Sequence, residues 1–531
     1  MKHNKTENLC IFAGCLLALF FIVFIFSPEN IDPLNINWVT RGGGDNLQHY
    51  LGWRFYKNNS WNRYLFFMRN LNYPIGTSVI VTDSNPLFSI IFKIFRDVLP
   101  VKFQFNGIWI IFSYLAIAFL SAKIGWRLTE NALLTMVCVL FAILNPVILQ
   151  RAIIHDTLTA HWLILAAIWL CLNQEKKWNL PGWFILTELA LLIHIYFIPM
   201  IGFIFLFQII RMVIAKSKFI HIFSLILVFC AALLVGYFVF GYVYIAPQTG
   251  SYGELSMNLN AFINPDSIPA LLKARPKQSL QYEGFNYYGL GMLVFIGLAV
   301  IFVEKNRVKS GIPYILPVIG LILISVSNNA YFDDKCIYRF DLPENIYSAL
   351  SVFRSSGRLV WPLYYIALFA GIYLVNKKMT SSGNKTRKMF LEIMTMVCGI
   401  IQIVDLNQFH QTTAERFRNP ANDLIELPNE FSHLIPDNAT HLYCSDGDSR
   451  TIDSLALFAA DKNMTFNKCA NARGIRHIYG GDEFEPEKLN CQSVQSDSVY
   501  IFLSKELFPS VLKACEGIRI TELSDWIIVT E

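Results

Sequence analysis

The stretch Leu9-Cys-Ile-Phe-Ala-Gly-Cys-Leu-Leu-Ala-Leu-Phe-Phe-Ile-Val-Phe-Ile-Phe26 is an unbroken apolar run, with Lys2 and Lys5 ahead of it and Pro28 behind. Its length is close to the ~20 residues that cross a hydrocarbon core. No small-x-small cleavage site follows it, so a secretory signal is the weaker reading. The run is expected to be an uncleaved anchor with the N-terminus in the cytoplasm. That choice makes the rest of the chain a membrane protein to be read span by span.

Composition agrees. The chain is 54% hydrophobic and 16% charged, with 43 Phe, 23 Tyr and 11 Trp, whereas soluble domains carry roughly 25% charged residues. Ten more apolar runs fall near residues 106–126, 132–149, 157–173, 183–196, 198–213, 219–244, 288–303, 312–327, 359–375 and 389–404. The two around Glu188 and Pro199 are short and are expected to form a broken pair that does not span independently. Counting both gives about eleven transmembrane helices. Alternate connections then carry Arg127; Lys176 and Lys177; Arg211, Lys216 and Lys218; Lys305, Arg307 and Lys309; and Lys377, Lys378, Lys385, Arg387 and Lys388. All fall on the side of Lys2 and Lys5, as the excess of Lys and Arg in cytoplasmic loops requires.

The opposite face receives residues 29–105, the turn Gln150–Asp156, the loops before Tyr288 and Arg358, and everything after Asp405. Residues 405–531 change character, with 11 Lys/Arg against 20 Asp/Glu, while the remainder has 33 against 19. Strand-like runs at Thr440–Cys444, Val499–Leu503 and Trp526–Val529, with a helix-like run at Leu507–Cys515, predict a small α/β domain. The expected organisation is a membrane domain over 1–404, with 29–105 as its first outer loop, and an extracytoplasmic domain over 405–531. Cys444, Cys469, Cys491 and Cys515 in that domain predict two disulfides, Cys444–Cys469 and Cys491–Cys515 by sequence proximity. No CxxC or His-rich spacing occurs, which argues against zinc. There is no internal repeat and no low-complexity tract.

Candidate chemistry gathers on the outward face. In Arg41-Gly-Gly-Gly-Asp45-Asn-Leu-Gln-His49, a carboxylate follows a glycine triplet and opens an amphipathic pattern. Leu47, Tyr50, Leu51, Trp53 and Phe55 form an apolar side suited to a membrane surface, and His49, Arg54 and Lys57 lie on the polar side. Asp45 reads as a general base or as a helix cap. Asp83, in Thr82-Asp83-Ser84-Asn85-Pro86, is the second carboxylate and reads more readily as a cap; it or Ser84 could cap the following run Leu87–Leu99. Arg151, His155 and Asp156 share a tight turn. Lys335 and Arg339 precede Phe353-Arg354-Ser355-Ser356-Gly357-Arg358, which runs straight into a span. Planar guanidiniums at a membrane edge suit a lipid-linked phosphate. As mere anchors, Arg354 and Arg358 would be on the wrong face. Glu188 and His194 are intramembrane groups whose ordinary role is internal hydrogen bonding. No glycine-rich nucleotide fingerprint follows a strand, and nothing points to nucleic acid.

With these motifs in place, the chain resembles the GT-C glycosyltransferases, and within them an uncharacterised bacterial membrane family. The likeness rests on Gly44–His49, Thr82–Pro86, Arg151–His155 with Ala160-His161-Trp162, and Phe353–Arg358, and on the layout of spans around an acidic first loop. It fades after residue 404. The resemblance implies a polyprenyl-phosphate sugar as donor, a polysaccharide or lipid-linked acceptor, membrane lipid as surroundings, and the base role on Asp45 with Asp83 second. It implies substrate binding by His49, Arg151, His155, Lys335, Arg339, Arg354 and Arg358. No acidic doublet adjoins Asp45, so no metal or other cofactor is assigned and a divalent metal stays open. Enzymes that glucosylate O-antigen share this size and layout, which makes bacterial surface polysaccharide the expected acceptor, with the protein in the inner membrane and residues 405–531 in the periplasm. A flippase of lipid-linked saccharides would call for repeats and several deep charges; a polysaccharide polymerase would use the same outer arginines.

Overall fold

The computed structural model describes residues 2–40, 45–174, 179–246, 251–303, 305–381, 385–419, 424–476 and 478–531. Arg41 with the glycine triplet Gly42–Gly44, and the pair Lys176 and Lys177, lie outside the described residues. The protein is mostly helical. Among the described residues, seven helices are long and apolar enough to cross a membrane: Lys5–Ile31, Asn106–Thr129, Ala132–Ile154, Phe197–Ile214, Phe219–Val239, Ser356–Ser381 and Lys385–Arg418. Four shorter apolar helices, Asp156–Leu172, Asn179–Ile193, Leu290–Val300 and Gly311–Val326, coincide with the other four runs. Pro199 does not break its run, because it sits in the first turn of Phe197–Ile214, where a missing N–H is harmless.

The chain divides into two compact units. The first contains Met1–Pro28, Ile108–Gly236 and Pro247–Arg418; the second contains Glu29–Gly107, Tyr237–Ala246 and Asn419–Glu531. The boundary expected at 404 falls inside the helix Lys385–Arg418.

In the first unit, helix starts follow from local chemistry. Asn131 and Asn145 cap Ala132–Ile143 and Pro146–Ile154 by accepting the backbone N–H groups of Leu134 and Val147. These bonds satisfy donors that a first turn otherwise leaves open. Pro146 then restarts the helix, which carries Arg151 and closes at His155. Gln150–Ile154 is therefore helical rather than part of a turn. The start of Leu290–Val300 is held by another helix: Asp405 accepts from Leu290 N–H at 2.8 Å and from Tyr287 Oη at 2.7 Å, and Gln402 Oε1 accepts from Met292 N–H at 3.0 Å. A buried carboxylate at a helix N-terminus is favoured by the helix dipole as well as by these bonds.

The second unit is built on a five-stranded mixed sheet in the order Arg519–Leu523, Trp526–Thr530, Ser498–Phe502, His441–Cys444, Thr465–Phe466. The last three are mutually parallel neighbours and the first three antiparallel. Ser498–Phe502 is buried along its whole length because both faces are covered. Tyr500 and Phe502 meet Ile527, Val529, Leu489 and Leu512 on one side. The amphipathic helix Ser449–Asp461, capped by Asp448, packs by the edge strand Thr465–Phe466 and the helix Asp45–Asn58, and sequence periodicity did not single it out. The expected helix Leu507–Cys515 is instead two 3-10 turns, Lys505–Leu507 and Ser510–Ala514. Pro509 between them lacks the N–H that a continuous helix would need.

The first outer loop belongs to this same unit. Residues Asn70–Tyr73 bond the backbone of Phe466 in both directions, at 2.8 and 2.9 Å, Ala472 N–H reaches Val81 O, and Ile245–Ala246 pairs with Gly474–Ile475. The helix Asp45–Asn58 is not a membrane-surface helix. Its nominally polar side chains His49, Arg54 and Lys57 are all buried. Arg54 Nη2 meets Asp461 Oδ1 at 2.8 Å, and Lys57 Nζ donates to the carbonyls of Leu99 and Pro100. Burial, with Arg54 nearby, pushes the Lys57 amine down to about 8.

Of the two expected disulfides, Cys491–Cys515 is formed and Cys444 and Cys469 are unpaired. Cys444 is fully buried in its strand, and Asn467 clamps its backbone N–H and C=O at 2.8 and 2.9 Å. The Cys469 thiol is turned to Asn471 at 3.4 Å and to Thr77. The Cys469 sulfur meets Asn471 and Thr77 rather than Cys444, and a disulfide needs converging Cβ vectors.

Candidate functional site

A buried charge cluster of the membrane unit is built from three separated segments. Arg151 comes from the helix Pro146–Ile154, Glu283 from the 3-10 turn Ser279–Gly284, and Arg358 from the 3-10 turn Ser356–Val360. The last two turns touch through glycine. A Cβ on Gly357 would lie 2.6 Å from Gly284 Cα, and one on Gly284 would lie 2.3 Å from Ser256 O. Only glycine permits that approach, which brings the neighbouring Glu283 and Arg358 into register. Arg358 then donates through Nε to Glu283 Oε2 at 2.8 Å and through Nη2 to Oε1 at 2.6 Å. Arg151 Nη1 donates to the same Oε2 at 2.8 Å. All three side chains are buried. Burial by itself would raise the Glu283 carboxyl. The guanidiniums of Arg151 and Arg358, with His155, outweigh it and hold the group well below the usual carboxylate range.

Aromatic and imidazole rings surround the trio. Arg358 lies 5.1 Å from the Tyr196 ring centre and Arg151 5.7 Å from that of Trp361. His155 meets His194 edge-on at 5.2 Å, and Tyr196 Oη accepts the backbone N–H of Ser355 at 2.8 Å. His161 stacks on Trp361 at 4.6 Å and shares a hydrogen bond with Tyr365 Oη at 3.0 Å. The sequence motifs around Arg151–His155, His161 and Ser355–Arg358 are thus one place in the fold. Arg354 is half-buried and makes no ion pair among the described residues. Lys335 and Arg339 lie apart from the trio's partners, at the two ends of an exposed strand in the hairpin Asn329–Phe332/Lys335–Arg339.

The second unit holds the two first-loop carboxylates. Asp45 is exposed in the first turn of the helix Asp45–Asn58. Asp83 is buried, and a carboxylate oxygen of Asp83 lies within 4.8 Å of a ring nitrogen of the buried His49. Gly52 makes that meeting possible: one turn on from His49, it lies where a Cβ would collide with Thr82 Oγ1 and Ser84 Oγ at 2.3 and 2.2 Å. Asp83 is not the helix cap. Asn85 is, accepting from Phe88 N–H at 3.2 Å ahead of Pro86. Asp83 has φ 52°, a left-handed conformation that Asp tolerates better than most residues. Tyr242 and Arg473 lie within electrostatic reach of one another, and Asp83 acts on the same tyrosine.

A family described as Domain of unknown function (DUF6311) matches residues 15–407. The chain belongs to the DUF6311 family. Among curated proteins none matches the sequence. The DUF6311 region contains Asp45, His49, Asp83, Arg151, His155, Glu283 and Arg358 and stops before the five-stranded sheet.

Within DUF6311, the residue that sequence reasoning missed is Glu283. It sits in Gln281-Tyr-Glu-Gly-Phe-Asn286, a polar loop segment with no motif spacing to Arg151 or Arg358. One signal was available: an acid next to glycine just before a span is worth pairing with an outward arginine that has no reason to be an anchor. Tyr242 and Arg473 gave no such signal.

Proposed function

We propose that this DUF6311 protein is an integral-membrane, inverting glycosyltransferase of the GT-C type. It moves a sugar from a polyprenyl-phosphate donor to a surface-polysaccharide acceptor on the extracytoplasmic side of the bacterial inner membrane. On this reading the chain has about eleven spans, with the N-terminus cytoplasmic and residues 405–531 periplasmic.

The observation that carries the reading is the convergence of Arg151 and Arg358 on buried Glu283. Two guanidiniums against one carboxylate make the trio cationic, and Glu283 fixes the planes of both, an arrangement suited to a phosphate ester whose charge grows as it leaves. In the transfer, a carboxylate takes the proton of the acceptor hydroxyl. The freed oxygen bonds to the anomeric carbon as the bond from that carbon to the phosphate oxygen breaks, and the phosphate departs with the electron pair. Of the two first-loop acids, Asp83 is buried beside His49 and is favoured as the base, while Asp45, exposed at the start of its helix, is the alternative.

Mass spectrometry of surface polysaccharide with and without the gene tests the reaction, and variants test the roles. Asp83→Asn in a well-inserted protein is expected to lose roughly 10²–10⁴ in transfer, the usual contribution of a positioned base. The same loss confined to Asp45→Asn would move the base there. Unchanged polysaccharide on gene deletion would end the proposal.

A further inference from the structure

We infer that the second unit carries a binding site for a membrane glycerophospholipid headgroup, where the helix Phe219–Val239 ends. This does not depend on the glycosyl-transfer reading. A hollow of about 360 Å³ lies there, lined by Arg63, Tyr64, Phe67, Phe238, Gly241 and Tyr244 among others. Its floor is aromatic: Tyr64 and Tyr244 meet edge-on at 5.3 Å, and Phe67 and Tyr244 at 5.8 Å. The Tyr244 segment is held by the pairing of Ile245–Ala246 with Gly474–Ile475 and by Arg476 N–H on Tyr244 O at 2.9 Å. Gly241 keeps the hollow open, since a Cβ there would strike the Phe67 ring at 2.6 Å.

Arg63 supplies the charge. Its side chain is exposed, lies 4.6 Å from the Tyr64 ring centre and donates to Tyr64 Oη at 2.6 Å. Among the described residues it has no carboxylate partner. A planar guanidinium braced on an aromatic face beside tyrosine hydroxyls is a phosphate-ester recognition set.

The lipid follows from the neighbouring wall. Phe219–Val239 is apolar enough to cross a membrane, and its final residues Phe238 and Val239 are exposed. A helix of that kind ends at a bilayer surface, at the depth where tyrosines collect and headgroup phosphates lie. A ligand filling the hollow meets a cation on one side and hydrocarbon-facing side chains on the other, so it must be amphiphilic and anionic.

The test is native mass spectrometry of the full chain in micelles containing phosphatidylglycerol. Wild type should retain one lipid that Arg63→Gln loses, with affinity about tenfold lower, the scale of one charge-assisted hydrogen bond. Arg63→Lys should retain part of it, and Arg519→Gln, a distant exposed control, all of it. Equal retention by wild type and Arg63→Gln would overturn the site. Diacylglycerol held as well as phosphatidylglycerol would remove the phosphate from the argument. Displacement by inorganic phosphate at matched concentration, or tighter retention of a polyprenyl phosphate, would overturn the phospholipid assignment.

Discussion

Glu283 and Arg358 are joined by two parallel hydrogen bonds, 2.8 and 2.6 Å long, between side chains that are both buried, and Arg151 shares one of the two carboxylate oxygens. Breaking such an arrangement is costly because it strands charge in a poor solvent. Glu283→Ala leaves two guanidiniums without their carboxylate and is expected to cost about 3–5 kcal/mol. The exposed Asp341→Ala should stay within about 0.5 kcal/mol. Thermal unfolding in detergent separates the two. Since the folded Glu283 carboxyl titrates below its ordinary 4.5, its contribution is present above that pH and is lost as the pH falls below it. Glu283→Gln should flatten that acid limb.

Asp453 shows the opposite sign. It lines a cavity of about 270 Å³ between the helices Asp45–Asn58 and Ser449–Asp461, among Leu51, Ile452, Ala456 and Phe466. Burial, and then Asp448, push its carboxyl up to about 6 from 3.8. The folded state therefore holds this proton more tightly than the unfolded state, and stability is lost as pH rises from about 4 through 6. Asp453→Asn should raise the unfolding temperature at pH 7.5 and leave it nearly unchanged at pH 4. A variant indistinguishable from wild type at both pH values would show that the carboxyl is solvated.

Arg54 and Asp461 tie the first outer loop to the sheet-bearing segment across 407 positions of sequence. Arg54 is almost fully buried, so Asp461→Asn leaves a desolvated cation short of its counter-charge. The expected cost is about 1–3 kcal/mol. It should appear as faster hydrogen exchange in the helix Ser449–Asp461, with Asp482→Asn on the exposed surface as the silent comparison.

The cysteines give a chemical readout. Burial pushes the Cys444 and Cys469 thiols up to about 12, which leaves almost no thiolate at neutral pH. Peptide mapping after alkylation of the native protein should find neither modified. Unfolding without reductant should expose both, while Cys491 and Cys515 need reductant as well. Recovery of a Cys444–Cys469 cross-linked peptide would contradict the observed geometry.

Much of the helical layout was legible because it is local. Each of the eleven apolar runs is a helix, since a continuous apolar segment commits to helix and burial without reference to distant residues. The strands His441–Cys444, Ser498–Phe502 and Trp526–Thr530 were visible for the same reason. So were Arg151, His155 and Arg358, because polar groups at span ends stand out against their surroundings. Asp83 was misjudged as a cap because three capping residue types stand together at Asp83, Ser84 and Asn85, and the choice among them depends on where the chain turns.

The amino-acid sequence by itself determined a polytopic helical protein with an acidic, strand-forming C-terminal part, because hydropathy and charge act over one or two turns of chain. Only the tertiary structure decided which polar groups meet. Glu283 has no sequence relation to Arg151 and Arg358, yet one glycine contact brings it between them. His49, Arg54 and Lys57 look like a solvated helix face until Asp83, Asp461 and the Leu99 and Pro100 carbonyls close over them. Residues 29–105 look like a loop of the membrane part until their backbone hydrogen bonds are found on Phe466 and Ala472. A buried charge or an open hydrogen-bonding edge must find a partner, but nothing local says where along the chain that partner lies.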